Sequence, residues 1–221
     1  MSGIPPGLWR EAEERMARLF RDGVYVPANR VMSLGLDAPL RRRCISRLSG
    51  VVLDVGCGDG HYHLEMRRRG VEEVVCVDPL PEPRPREAWR HRVVAVAEAL
   101  PLRDGCVDYA VAFFSYRDFL DRERGLAEML RVARRGVFVA DIFRPEGPLA
   151  PLAGFYIGRV APLLARLVAG GRDYGWRVIG DTVRHMETLR EFVERSGGRV
   201  VASFLGVLAA VEVPSRAGKA V

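Results

Sequence analysis

The sequence predicts an α/β fold: a doubly wound, mostly parallel seven-stranded sheet closed by a C-terminal antiparallel hairpin. Three observations carry that expectation. Val51–Val55 is an apolar run of strand length that passes into Gly56, Gly58 and Gly60. A second such run, Val71–Asp78, follows after a segment of helical character, and the alternation of strand-like and helix-like segments continues to the last forty residues. There Val200–Phe204 and Val207–Val213, separated by Gly206, read as two strands joined by a short turn.

Taken in order, Leu8–Arg21 places Leu8, Ala12, Met16, Leu19 and Phe20 at helical spacing, and Gly23 to Pro27 breaks the helix. Pro39 opens a basic amphipathic helix to Leu48, which Gly50 ends, so residues 1–48 read as a helical cap on the single domain 1–221. A helix runs from the glycine turn to Arg69, and the proline-rich stretch P-L-P-E-P-R-P after Asp78 forms an extended loop. Val93–Val96 is a short strand, Cys106–Phe114 a buried one, Arg122–Arg134 an amphipathic helix ended by Gly136, and Val137–Ile142 the next strand. Residues 145–180 are apolar and glycine-rich, with helix around Phe155–Val168, and are expected to cover a substrate. A single helix spans Thr182–Arg195, closed by Gly197 and Gly198.

Composition narrows the class. The chain has 221 residues, enough for one domain with a substantial core, and is 48% hydrophobic. No apolar run approaches the roughly 20 residues of a membrane span. The N-terminus lacks an apolar stretch followed by a small-residue cleavage site, so the expected location is the cytoplasm, with the inner face of the membrane in reach of the apolar segment. Cys44, Cys57, Cys76 and Cys106 form no C-x-x-C pair and are expected to be small buried apolar residues. Of the 34 Lys and Arg residues only Lys219 is lysine; the arginines behind the net charge of +6 are dispersed, which speaks against a nucleic-acid footprint.

The chemistry concentrates at the strand tips. In doubly wound sheets ligands bind beyond the carboxyl ends of the strands, and the tips bearing Gly56, Asp78, Glu98 and Phe114 share that edge. Glycines let main-chain N–H groups approach a nucleotide, and an acid at the tip of the second strand can accept hydrogen bonds from ribose hydroxyls. A dinucleotide fingerprint would read G-x-G-x-x-G, a spacing that G-C-G-D-G followed by His61 and Tyr62 lacks. His61 and His63 form an H-x-H pair, but without a third ligand at suitable spacing no metal is expected.

With Asp54, the glycine turn, Asp78, A-E-A-L-P-L-R-D-G-C-V-D-Y and the terminal hairpin in this order, the chain resembles a class I S-adenosylmethionine-dependent methyltransferase. Within that superfamily Y-V-P-A-N-R-V-M-S-L-G-L at residues 25–36 is similar to the N-terminal signature of the ubiquinone/menaquinone biosynthesis C-methyltransferases. F-S-Y-R-D-F at 114–119 and E-M-L-R-V-A-R-R-G at 128–136 resemble later motifs of the same family. Val26, Asp37, Leu40, Asp118 and Val96 depart from its pattern, and a single Gly136 stands for a double glycine.

The resemblance implies S-adenosylmethionine as cofactor, held by Asp54, Gly56, Cys57, Gly58, Asp59 and Gly60 at the turn and by Asp78 with Pro79. Ala97 and Glu98 would lie beside the adenine, with Leu100 and Pro101 flanking the ring, and Phe113 and Phe114 would face the cofactor. It implies a small aromatic or lipid-like acceptor, such as a prenylated quinol, oriented by Arg117, with Asp118, Tyr25, Asp141 and His185 as candidate bases. The apolar stretch 148–168 would then face a bilayer, a homodimer partner or the core. An RNA methyltransferase and a non-catalytic S-adenosylmethionine-binding protein are the alternatives, the first from the basic charge, the second from Val26 and Val96.

Overall fold

The computed structural model describes residues 3–81 and 91–215. It contains helices α1 (Pro6–Arg21), α2 (Tyr25–Met32), α3 (Asp37–Ile45), α4 (His63–Arg68), α5 (Arg122–Val132), α6 (Ala150–Phe155), α7 (Ala161–Val168), α8 (Val178–His185) and α9 (Leu189–Ser196). The strands are β1 (Gly50–Val55), β2 (Val71–Asp78), β3 (Arg92–Val94), β4 (Val107–Phe113), β5 (Ala133–Ile142), β6 (Arg199–Phe204) and β7 (Leu208–Pro214). They form one sheet in the order β3-β2-β1-β4-β5-β7-β6. β3, β2, β1, β4 and β5 run parallel, and β7 pairs antiparallel with both β5 and β6, as the sequence predicts.

Both faces of the sheet are covered, and the strands show it residue by residue. Leu53, Ala110, Ala112, Val137 and Val139 pack against Leu126 and Met129 of α5 and Phe192 of α9. Their neighbours Val52, Val111, Phe113, Phe138 and Ala140 face the other way, onto Leu40, Cys44 and Ile45 of α3 and Met66 of α4. Period-2 alternation with both sets buried is the signature of a central parallel strand. Strand order reverses between β2-β1 and β4-β5, so a crevice opens at the carboxyl ends of β1 and β4.

Some boundaries differ from the sequence reading. The segment 182–195 is two helices: Thr188 accepts from the Glu191 amide while Glu191 accepts from the Thr188 amide, a capping box that starts a new helix. Gly136 does not end α5; it lies inside β5, opposite Pro214. The proline-rich loop predicted after Asp78 lies largely outside the described residues. Residues 150–168 form one continuous helical run, α6 and α7 joined by a π-helical turn at Tyr156–Val160, and this 19-residue run has the length and composition of a membrane span, contrary to the sequence expectation. Its inner side, however, is fastened to the domain: Ala165 and Ala169 pack with Leu19 of α1 and Ala28 of α2, and the Tyr156 hydroxyl donates to the Met32 carbonyl at 2.9 Å.

Candidate active site

The turn after β1 is built around Asp78. Its Oδ2 accepts the Gly58 amide at 2.8 Å and its Oδ1 the Leu80 amide at 2.9 Å, while the Gly56 amide donates to the Val77 carbonyl at 2.7 Å. Gly56 and Gly58 hold φ of 73° and 54°, which side-chain-bearing residues rarely adopt. Space forbids a side chain as well: a Cβ on Gly56 would meet Ser115 at 2.3 Å, and one on Gly58 would meet the Phe20 ring at 2.4 Å. Arg92, which the sequence reading did not single out, clamps the turn by donating to the carbonyls of Gly58 at 3.0 Å and Leu80 at 2.6 Å.

Asp54, at the end of β1, is almost fully buried and bonded to His63 Nε2 at 2.7 Å. That contact accounts for the second histidine of the H-x-H pair: it fixes the Asp54 carboxylate. The amides of Gly56, Cys57, Gly58 and Gly60 all bond within the protein, so the turn presents its shape and Asp78 more than a row of free donors. Each Asp78 oxygen retains a second lone pair for a hydroxyl.

Cys57 and Cys76 are joined in a disulfide rather than being separate apolar fillers. The Cys57 amide reaches the Val77 carbonyl, which lays the turn alongside β2 and brings the two Cα atoms to 5.6 Å, within bridging range. Cys44 is the buried apolar residue expected, and Cys106 is half-buried.

A cleft opens over this turn, roofed by Trp9, Glu13, Met16 and Phe20 of α1 and by Tyr25, Val26 and Asn29 of α2. Asp54, Gly56, Cys57, Gly58, Asp59, Asp78, Pro79, Ala97, Glu98, Phe113 and Phe114 line it together; Gly60 does not, because its amide turns inward to the Cys57 carbonyl. Glu98 also accepts the Asp121 amide at 3.0 Å, tying the cleft to the start of α5. Helices of the N-terminal cap, α1 and α2, therefore line the cleft. Residues 145–180 do not: none of them lines the cleft, and α7 backs α2 from outside.

The wall facing the turn is polar at its centre. Asp37 accepts from Arg41 Nη1 at 2.7 Å, Ser33 Oγ at 2.9 Å, Asn29 Nδ2 at 3.2 Å and the Tyr62 hydroxyl at 3.3 Å. The Arg41 guanidinium lies between the Tyr62 and Phe114 rings, 4.5 and 4.3 Å from their centroids. Neither Asp37 nor Arg41 stood out as functional in the sequence. The signal was the four-residue spacing Asn29, Ser33, Asp37, Arg41, which places their polar groups in one row.

The three catalytic candidates separate. Tyr25 and Asp118 line the cleft; Arg117 does not. Arg117 Nη1 is held by Asp141 Oδ1 at 2.7 Å and by the Phe114 carbonyl at 3.0 Å, and the Arg117 amide donates to Asp141 Oδ2 at 3.0 Å. Burial opposes its charge, but Asp118 and Asp141 overcome that and hold it above the usual arginine range. Its expected contact with substrate is thus replaced by a contact behind the wall. Phe114, whose φ of 62° is strained for a residue with a side chain, is the group it braces.

Asp141 is paired with Arg117, and neither it nor His185 lines the cleft. Asp118 does, with its Oδ1 buried and without a hydrogen-bond partner of normal geometry among the described residues. Burial pushes its carboxyl up, against the pull of Arg117. Burial likewise raises Tyr25, and Glu13 is pushed up to about 8 by burial and then by Asp78, Asp118 and Glu98. The cleft is therefore acidic inside a chain of net charge +6.

Residues 53–140 match the methyltransferase domain model. The Ubiquinone/menaquinone biosynthesis C-methyltransferase UbiE of Citrifermentans bemidjiense is 33% identical over 69% of this chain and 74% of its own length. The chain belongs to the ubiquinone/menaquinone biosynthesis C-methyltransferase family. The Demethylmenaquinone methyltransferase of Roseiflexus castenholzii is similarly 33% identical, over 73% of this chain and 74% of its own. A SAM-dependent methyltransferase structure from Thermotoga maritima, 15% identical, covers 91% of this chain with a TM-score of 0.57 and shares its fold.

The family makes this an S-adenosylmethionine-dependent methyltransferase. The cleft fits that cofactor: each Asp78 oxygen has a lone pair left for a ribose hydroxyl, and the acid-rich lining suits a cationic donor. Asp78 and Pro79 would hold the sugar, Ala97 and Glu98 the base, and the turn the methionine end.

Proposed function

We propose that the enzyme methylates a ring carbon of a hydroxylated aromatic acceptor of the quinol type. The observation that carries this reading is the place of the Asp118 carboxyl in the cleft lining, beside Phe114, Phe119 and Tyr25. A ring carbon becomes nucleophilic when an adjacent hydroxyl loses its proton, and a carboxylate whose affinity for protons is raised by burial lies closer to a phenol in acidity than an exposed one. S-adenosylmethionine supplies the methyl group on a positively charged sulfur.

Asp118 takes the hydroxyl proton, and the O–H electron pair passes into the ring. The adjacent ring carbon bonds the methyl carbon as the methyl–sulfur bond breaks; that ring carbon then gives up its own hydrogen as a proton, which restores the aromatic ring. The aromatic faces of Phe114 and Phe119 orient the ring, and the roof of α1 and α2 excludes water. Arg117 positions both ends of this arrangement: it pairs with Asp118 at 3.5 Å and holds the Phe114 carbonyl. The names of the relatives, which specify quinone and demethylmenaquinone methylation, support the same acceptor class.

The test is transfer of labelled methyl from S-adenosylmethionine to a short-chain reduced naphthoquinol, to RNA and to buffer alone. Label is expected in the quinol, in a form stable to ether-cleaving acid as a carbon–methyl bond is. Label confined to RNA, or bound cofactor with no transfer to any acceptor, would reject the proposal. Asp118→Asn should lower kcat at least 100-fold and leave S-adenosylhomocysteine affinity within twofold, in keeping with the usual contribution of a general base.

A further inference from the structure

The helical run Ala150–Val168 has two unlike sides. Ile157, Ala161, Ala165 and Ala169 recur every four residues and are buried toward the domain. Leu152, Phe155, Leu163 and Leu167 point outward and are 67%, 60%, 58% and 67% exposed. Isolated exposed leucines are ordinary; these four apolar residues along one helix form a stripe that none of the described residues covers.

Two loops add to it. Leu34 and Leu205 are 67% and 81% exposed, and both sit at positive φ, 53° and 54°, which a leucine rarely adopts. Each stands two residues from a member of the small cluster under the helix, Met32 and Val207 packing there with Tyr156 and Ile157. Apolar side chains at strained tips gain nothing from the folded core.

The charges along this segment have one sign. Between Glu146 and Asp173 the charged residues are Arg159, Arg166 and Arg172, with no acid. Arg159 and Arg166 are exposed, on the helix that carries the stripe, while Arg172 lies 3.8 Å from Asp22. Two copies of this surface laid face to face would oppose arginine to arginine. An anionic lipid surface offers both an apolar layer for the leucines and negative charge for the arginines, whose long stems let the guanidinium reach headgroups while the helix lies in the interface.

We propose that the outer side of Ala150–Val168, with the Leu34 and Leu205 tips, docks the enzyme on an anionic bilayer. The helix lies along the surface and does not cross it, since its inner side is occupied by α1 and α2. Those two helices also roof the cleft, so docking places the roof next to the lipid. The proposal is independent of the acceptor: vesicles without methyl acceptor suffice to test it, and failure here leaves the quinol reading standing.

The experiment is flotation of the full chain with phosphatidylglycerol/phosphatidylcholine vesicles and with pure phosphatidylcholine vesicles, alongside sedimentation equilibrium without lipid. Binding is expected to the anionic vesicles and weakly or not at all to the neutral ones. Arg159→Gln with Arg166→Gln should lower the partition coefficient roughly 30-fold, about fivefold per arginine. Leu163→Ser with Leu167→Ser should lower it at least tenfold, and both double variants should bind S-adenosylhomocysteine within twofold of the parent, showing that they fold. Absence of binding to anionic vesicles, or equal binding by parent and variants, overturns the proposal. So does a concentration-dependent dimer that the leucine variant dissociates, because a second copy would then be the occupant.

Discussion

Replacing Arg117 by methionine separates a residue that braces the site from one that touches the substrate. Arg117 and Asp141 form a pair whose side chains are 8% and 0% exposed, 2.7 Å apart. Methionine fills similar space but leaves the Asp141 carboxylate buried without its cation, a loss of about 3–5 kcal/mol. In a domain of this size each kcal/mol moves Tm by roughly 2–4 °C, so Arg117→Met should melt about 10 °C lower, read by calorimetry or circular dichroism. Phe114 also loses the donor to its carbonyl, and its strained conformation, which costs on the order of 1 kcal/mol, is free to relax. The acceptor KM should rise with it.

The second substitution decides the matter. Asp141→Asn in the Arg117→Met background removes the uncompensated charge while keeping an oxygen for the Arg117 or Ile142 amide, and should restore at least half of the lost Tm. Part of the activity should return with it. Should Arg117→Met melt within about 3 °C of the parent, yet lose kcat at least 100-fold with no recovery in the double variant, Arg117 would be a substrate contact. The bracing argument would then be wrong.

Two further outcomes follow from the cleft. Glu13 is raised from its ordinary value to about 8, so the folded chain keeps a proton that the unfolded chain releases from about pH 4.5 upward. Its contribution to stability therefore declines as pH rises through that window. Glu13→Gln should match the parent in Tm near pH 5 and exceed it by several degrees at pH 9; equal melting at both would refute the shift. The Cys57–Cys76 bond closes a separation of 19 residues, for which loop closure gives about 3 kcal/mol. Alkylation after unfolding without reductant should label Cys44 and Cys106 only, and a reductant should lower Tm by roughly 6–12 °C; labelling of all four cysteines would show the bond absent.

The division between sequence and fold is visible at single residues. The glycine turn, Asp78 and the strand alternation are local: a backbone at positive φ needs glycine, and an apolar run needs a covered face, so residue types alone reveal them. Eleven of the twelve residues expected to hold the cofactor meet in one cleft for that reason. Splitting of the segment 182–195 is also legible, in Thr188 and Glu191, a capping pair that the apolar spacing runs straight through.

What the chain order could not determine was which side of each element faces which neighbour. Arg117 follows the tip of β4 and matches a family motif, yet its guanidinium turns to Asp141, 24 residues on, because a buried charge is drawn to the nearest opposite charge. Asp37 and Arg41, unremarkable in sequence, gain their place when α3 packs beside Tyr62 and Phe114. Cys57 and Cys76 become partners only because the turn folds back along β2. The apolar segment 145–180, expected over the substrate, lies outside α2 instead: hydrophobicity says that a surface wants cover, but only packing decides which side receives it.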